Sequence, residues 1–298
     1  MAPHTANRAA LGMGLMVLAM QIVPFSDAAA KVLTGEYGYS PAQTALARIV
    51  FAALFLAPAG AFFFRPPFAP RALWQKIKPH LPRGACWAGA TLFFFAALKN
   101  NPLAAALVLA FVAPLFVAAA APFLLGEKFS PRSLPALIAG FTGVLLVLRP
   151  AATDFSPSLL WALLAGMCYG GYLMTTRRDG VANAIGGGAA TFMTMLVAGI
   201  FTAPFALAEW QTPETAHFAL MALMGALSAA GHFLITQACK YANASQIAPF
   251  NYTEIGGALL AGWLIFGELP QPPTYAGIAL IIAAGVWTAL RGPRAARL

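Results

Sequence analysis

The residues most able to do chemistry here are charged or titratable side chains inside long apolar runs. Glu254 stands about ten residues into one run, Asp27 and Arg48 near the ends of two adjacent runs, and His232 well within another. A carboxylate at hydrocarbon depth costs several kcal/mol unless it meets a partner or a wet cavity. At ~1.5 Å per residue, Glu254 lies roughly 15 Å deep. Its chemistry is either contact with a substrate amine or proton carriage, against a purely structural carboxyl bonded to neighbouring helices. Asp27 and Arg48 are an opposite-charge pair, read as a helix-fixing ion pair or as a gate whose Arg48 binds a carboxylate. His232 is a proton relay or a neutral bridge between helices.

Polar and helix-disrupting residues surround these groups. Gln21 and Ser26 flank Pro24, and Gly170-Gly171 is flanked by Tyr169 and Tyr172. Pro24 and Gly171 read as matched helix disruptions, whose freed backbone groups bind substrate in inverted-repeat carriers; a simple kink or the close packing of Gly166-x-x-x-Gly170 is the alternative. Asn251 and Tyr252 precede Glu254 within one turn. A phenolic hydroxyl in lipid needs a partner, which makes Tyr169, Tyr172 and Tyr252 better cavity candidates than the other aromatics. Cys86, Cys168 and Cys239 read as packing residues. Gly186-Gly187-Gly188 lacks the Gly-Lys-Ser/Thr of a phosphate loop, and no zinc-protease or nucleophile-elbow pattern is present. No catalytic residue, cofactor or metal is therefore expected.

These residues must be positioned by membrane helices. The chain of 298 residues is 60% hydrophobic and only 9% charged, with a mean hydropathy of +0.74. Soluble domains carry about 25% charge. With ~20 apolar residues per crossing, ten spans are predicted, at about 9–31, 41–63, 82–98, 102–125, 133–149, 157–176, 185–208, 216–239, 244–266 and 274–290. Arg8, the following apolar run and Ala28-x-Ala30 resemble a cleaved signal, but that run has a counterpart later in the chain and is read as a span. Residues 64–81 form the longest loop, rich in proline and basic residues, with a short surface helix around Leu73-Trp74.

The chain also nearly repeats itself. At an offset of 141, Lys99 falls on Lys240 and Gly126-Glu127 on Gly267-Glu268; Gly143-Val144 falls on Gly285-Val286 and Arg149 on Arg291 one residue later. Pro24 falls on Gly171 and Lys31 on Arg178 at an offset of 147, and Phe55-Leu56-Ala57-Pro58 falls on Phe201-Thr202-Ala203-Pro204 at 146. One domain over 1–298 thus holds repeat one at about 9–149 and repeat two at about 157–291. Five spans per copy make the second copy enter the bilayer upside down. The predicted fold is all-α: a polytopic membrane protein with ten transmembrane helices as two inverted five-helix repeats. With cytoplasmic termini, 14 of the 18 Lys and Arg fall on the cytoplasmic side and 3 on the other, with Arg48 inside a span. That bias follows the positive-inside rule. The net charge of +9 then reflects the anionic inner leaflet rather than nucleic acid.

The repeat and its motifs resemble the drug/metabolite transporter superfamily, in its ten-helix EamA-type branch. Pro114…Gly126-Glu127 in span 4 and Glu254…Gly262-Trp263…Gly267-Glu268 in span 9 carry the resemblance, each followed by a Gly-rich helix ending in Arg149 or Arg291. Ile255 stands where many relatives have a proline after the glutamate. Within the family the chain looks most similar to bacterial inner-membrane amino-acid exporters of the YddG kind. The resemblance implies a monomeric secondary transporter that exports amino acids or similar metabolites, with a small-molecule substrate and the bilayer as partners. The implied cavity is walled by spans 1, 3, 4, 6, 8 and 9. Organophosphate and nucleotide-sugar carriers share the superfamily, but only Arg48 is a basic residue placed within a span. A channel-like protein or an intramembrane enzyme is the reading from other classes.

Overall fold

The computed structural model describes residues 3–60, 74, 77–124, 134–148, 156–179, 187–241 and 248–291. Its helices are α1 (Pro3–Lys31), α2 (Pro41–Gly60), α3 (Leu81–Leu98), α4a (Leu103–Ala110), α4b (Ala113–Leu124), α5 (Leu134–Leu148), α6 (Leu159–Asp179), α7 (Gly187–Ala208), α8 (Thr215–Tyr241), α9 (Glu254–Phe266) and α10 (Pro272–Arg291). No strand occurs among the described residues. Hydrocarbon leaves a helix as the only way for a single segment to satisfy its own backbone. Five helical segments suffice by length and composition to cross a membrane: Ala10–Glu36, Pro41–Pro58, Lys78–Leu98, Thr191–Ala208 and Thr215–Ile235. Leu103–Val117, Ile138–Val147, Leu159–Thr175 and Pro272–Ala284 are shorter apolar helices. The motif residues Gly126, Glu127 and Arg149, most of loop 64–81 and the junction between the repeats lie outside the described residues. Trp74 of that loop is exposed.

Turn chemistry closes the helices where backbone must reverse. A π-helical turn, Val32–Glu36, extends α1, and Gly38 (φ 74°) turns the chain into α2. Gly267 (φ 66°) ends α9 in the left-handed conformation, while the Glu268 amide donates to the Gly262 carbonyl at 3.0 Å. Two orphan carbonyls at that helix end are thereby satisfied.

Helix pairing follows the repeat. α1 packs on α8 as α6 packs on α3; α1 meets α9 as α6 meets α4; α2 meets α8 as α7 meets α3; α2 pairs with α7, and α5 with α10. Exchanging the two copies maps this set onto itself. Because lipid gives helices no hydrophobic reason to associate, close backbone approach through small residues must hold them. A Cβ at Gly166 would stand 2.6 Å from the Ala110 carbonyl oxygen, and one at Gly277 would stand 2.8 Å from the Gly143 carbonyl oxygen. Gly257 of α9 meets Pro24 of α1, and Gly170 of α6 meets Phe116 of α4b. At the repeat offsets Phe116 falls on Gly257 and Pro24 on Gly171, so the two contacts occupy corresponding places within one residue, and the glycine has changed sides.

The helix disruptions expected at Pro24 and Gly171 are not there. α1 runs unbroken through Pro24, and α6 runs unbroken through Gly170-Gly171. The breaks occur instead in span 4, at Phe111-Val112, and in span 9, where the 3₁₀ segment Ala248–Thr253 gives way to α9. At the offset of 141, Phe111 corresponds to Tyr252 and Val112 to Thr253. Their equivalence is also spatial: the Phe111 and Tyr252 rings lie 5.2 Å apart. The irregular backbone is thus symmetric, but it sits one helix pair away from the proline. A proline can ride in a membrane helix when neighbours compensate the lost amide, and here Gly257 lets α9 lie directly against it.

The core is lopsided. The face holding residues 32–40 and 209–214 is the distal face; the other, where α1 begins and α10 ends, is the terminal face. One continuous apolar cluster, with Leu33, Phe95, Leu98, Leu103, Leu109 and Ile255 fully buried in it, joins the distal halves of the helices. Among the described residues toward the terminal face, the buried ones fall into separate clusters, such as Met16, Ala19 and Met20 with Ala238, and Ile49 and Ala88 with Met195 and Ala198.

Candidate functional site

α3 supplies one wall. Arg83, Trp87 and Thr91 recur every four residues and so share one face of the helix. α6 faces it with Tyr169 and Tyr172. The Trp87 ring lies 5.1 Å from Tyr172, 6.0 Å from Tyr169 and 5.3 Å from His232 of α8, and the two tyrosine rings stack at 5.7 Å. Tyr169 is 36% exposed although it shares its helix face with Ala162 and Ala165, which are fully buried toward the bundle. Its open side therefore looks into the interior, not into lipid.

α9 brings Glu254 to the same region. Glu254 shares its face with Ala258 and Ala261, both wholly buried, whereas Leu260, Trp263 and Leu264 on the other side are exposed to the surroundings of the bundle. It lies within electrostatic reach of Arg48, Asp27 and Tyr169. His232 lies within reach of Arg48 and Arg83. Arg48 Nη1 donates to Asp27 Oδ1 at 2.8 Å and Nη2 to the Thr91 hydroxyl at 3.3 Å, while the guanidinium sits 4.7 Å over the Phe95 ring. Both members of this ion pair are buried. Glu254, Asp27, Arg48, His232, Tyr169 and Tyr172 thus converge on one polar centre just beneath the distal core.

The remaining candidates do other work. Ser26 is fully buried and donates to the Met224 carbonyl of α8 at 2.9 Å. Gln21 donates to the Thr253 carbonyl at 2.9 Å, satisfying backbone that the 3₁₀ segment leaves open. Pro24 fills the groove at Gly257, and Gly171 lets Cys86 of α3 approach. Tyr252 is buried against Phe111. These five residues help seat the helices around the centre. Asn251 is half-buried in the 3₁₀ segment.

Two functional features were missed from sequence. Arg83, at the very start of the predicted span 82–98, is one of the 14 basic residues counted on the cytoplasmic side, yet it is 4% exposed and packs inside the bundle. It donates to the Tyr172 hydroxyl at 3.0 Å, and its guanidinium lies 5.1 Å from that ring. The available signal was the four-residue spacing to Trp87 and Thr91. The second feature is the distal closure. Glu268 pairs with Lys31 at the end of α1, and its other oxygen accepts the Leu103 amide at the start of α4a at 3.1 Å. A carboxylate at a helix N-terminus meets the positive end of the dipole. Tyr39 and His217 add a 2.8 Å bond between the loops nearby. A cavity of about 300 Å³ opens beside this closure, lined by Asn101, Pro102, Glu268, Gln271 and Thr274 among others. It is peripheral to the polar centre.

Comparisons with known proteins agree with this architecture. The model of the EamA-like transporter family matches residues 10–149 and again 156–290. An S-adenosylmethionine uptake transporter of Rickettsia bellii is 29% identical over 63% of this chain; the match spans 64% of that protein's length. A riboflavin transporter of Rhizobium johnstonii is 28% identical over 94% of this chain and 91% of its own. A pseudopaline exporter of Pseudomonas aeruginosa is 26% identical over 70% of this chain and 74% of its own. One solved crystal structure superposes on 96% of this chain and 97% of its own with a TM-score of 0.60 at 16% identity, which speaks for the fold alone. These relatives do not bear out amino-acid export of the YddG kind. The twice-matched family model, the helix pairing that maps onto itself and the polar centre between the copies agree: the chain is a multi-pass membrane protein that belongs to the EamA-like transporter family.

Proposed function

We propose that this protein is a secondary carrier of the bacterial inner membrane, working by alternating access, with its termini in the cytoplasm. Its substrates are small metabolites that combine a ring with a charged or zwitterionic group. The observation that carries this reading is the polar centre itself. Glu254, His232 and the open face of Tyr169 lie between the two copies, sealed by the distal core and bordered by separate clusters toward the termini. A continuous core over one side of such a centre supports a carrier closed on that side. Trp87, Tyr169 and Tyr172 provide flat surfaces for a ring, and Glu254 provides a counter-charge for an amine or a seat for a proton.

Three named relatives carry ring-bearing or charged metabolites, which supports a wider substrate class than amino acids alone. The test is counterflow in proteoliposomes holding the full chain, with labelled S-adenosylmethionine, riboflavin and an amino-acid panel. Saturable exchange against unlabelled substrate is expected. Flux that does not saturate with any member would show a channel, and no flux with any member would defeat this substrate class. Glu254→Gln separates the two roles of the carboxyl. Loss of pH-driven accumulation with exchange retained marks a proton site, whereas weaker substrate binding at every pH marks an amine contact.

A further inference from the structure

We propose that Arg83, with Trp87 and Tyr172, forms an oxyanion subsite at the terminal-face end of the polar centre, taking a carboxylate or phosphate attached to an aromatic or heteroaromatic ring. This deepens the reading above, because it names the chemical pole that Glu254 leaves unmatched. Arg83 is buried, yet it forms no ion pair with a carboxylate among the described residues. Among the described residues it donates to the Tyr172 hydroxyl, its buried Nε and Nη1 atoms have no acceptor, and one turn further along α3 the buried Trp87 Nε1 has none either. A buried guanidinium left without a counter-charge costs several kcal/mol, and an unsatisfied N–H costs about 1–3 kcal/mol. Three unused donors on one helix face, beside two tyrosine rings, are a site that an oxyanion completes.

The geometry also sets the substrate's polarity. Arg83 and Thr91 are eight residues apart on α3, about 12 Å along the axis. Thr91 is bonded to Arg48, which Glu254 faces electrostatically. An anionic group at Arg83 and a cationic group at Glu254 would therefore flank a ring lying against Trp87 and Tyr169. Arg presents a planar fork that matches carboxylate and phosphate, which a lysine cannot copy.

The test is equilibrium binding to the purified full chain in detergent, using indole-3-acetate, indoxyl phosphate and tryptamine as probes. They share a ring and differ in the charged group. The wild type is expected to bind at least one anionic probe. Arg83→Met should weaken the binding of that probe at least tenfold and leave tryptamine within twofold. Arg83→Lys should recover part of the loss. The relative losses of the carboxylate and phosphate probes identify which oxyanion the site takes. A structural role alone would lower thermal stability without any selectivity for the probe's charge. Failure of both anionic probes to bind the wild type, or equal binding to wild type and Arg83→Met, would overturn the subsite. Should Arg83→Met fail to fold, Trp87→Phe, which deletes one donor and keeps a ring, must still weaken an anionic probe more than tryptamine; equal effects on both would overturn the subsite. Transport of a neutral or purely cationic substrate in the counterflow assay would leave the carrier reading standing while these results removed the oxyanion site.

Discussion

Breaking the Asp27–Arg48 pair one side at a time should cost far more than removing it whole. At 2.8 Å and an effective dielectric of about 20, the Coulomb attraction is about 6 kcal/mol. Desolvation of two buried charges offsets much of that, so the intact pair adds little net stability. A single substitution is different, because it leaves one charge buried alone, at about 3–5 kcal/mol. The two singles should not be equal. Asp27→Asn keeps a hydrogen-bond acceptor for Arg48. Arg48→Met leaves Asp27 without its ion-pair partner and also removes the bond to Thr91 and the contact with the Phe95 ring, so it should be the worse of the two. The double variant Asp27→Leu/Arg48→Met should return to within about 1–2 kcal/mol of the wild type. Each single should lower the unfolding midpoint in detergent by roughly 5–10 °C, and the double by much less. Additive losses in the double variant would refute the argument, as would a fully stable Arg48→Met protein.

Gly166→Leu should wedge α6 from α4a, since its Cβ would fall 2.6 Å from the Ala110 carbonyl oxygen; a loss of about 1–3 kcal/mol, read as reduced monodisperse yield, is expected, and unchanged yield would deny the close approach. Glu268→Gln should loosen the distal face and raise thiol labelling of a cysteine placed at the buried Ala104. The charge swap Lys31→Glu/Glu268→Lys should restore only part of the closure, because a lysine cannot accept the Leu103 amide; complete restoration would show that the ion pair alone matters. Cysteines at Lys76 and at the exposed Glu214 should react from opposite sides of the membrane with an impermeant reagent, the Lys76 position from the cytoplasm. Same-side labelling would remove the proposed orientation.

The sequence announced membrane helices through apolar runs, and its self-similarity announced that the helices come in two related sets. It also singled out Glu254, Asp27, Arg48 and His232, because a charge or imidazole inside an apolar run is conspicuous on its own. The helix breaks were harder. Pro24 looked like a break, since proline lacks an amide, but whether a helix bends depends on what lies beside it, and here a glycine from α9 does. Phe111-Val112 carries no local signal at all; only its partner at Tyr252-Thr253 marks it. Arg83 was hidden for a related reason. A basic residue beside a basic loop reads as part of the loop, and burial is set by α6, nearly ninety residues away. Gln21, Ser26 and Tyr252 were polar or phenolic in the right helices, yet helix seating claims such groups as readily as substrate does.

A symmetric set of helix pairs with an asymmetric core bears directly on how the protein would move. If the two copies contributed equal closures, the bundle would be sealed at both faces or at neither. Among the described residues, the continuous core lies at the distal face, with Glu268 joining Lys31 to the start of α4a. In sequence the other copy carries the same residue types, with Lys31 falling on Arg178 and Glu268 on Glu127, the latter outside the described residues. Closing one face while opening the other would thus exchange contacts of the same kind. Lipid adds no hydrophobic penalty for such an exchange, because helix surfaces leaving one another meet chains as apolar as themselves. The groups at the centre, Glu254 with Asp27 and Arg48, lie just beneath the distal closure, with Arg48 over the Phe95 ring of its core. A substrate or proton bound there can bias the exchange only by binding one arrangement more tightly than the other. Under the proposed carrier mechanism, the charge state of this trio, rather than either face, is the natural point of control.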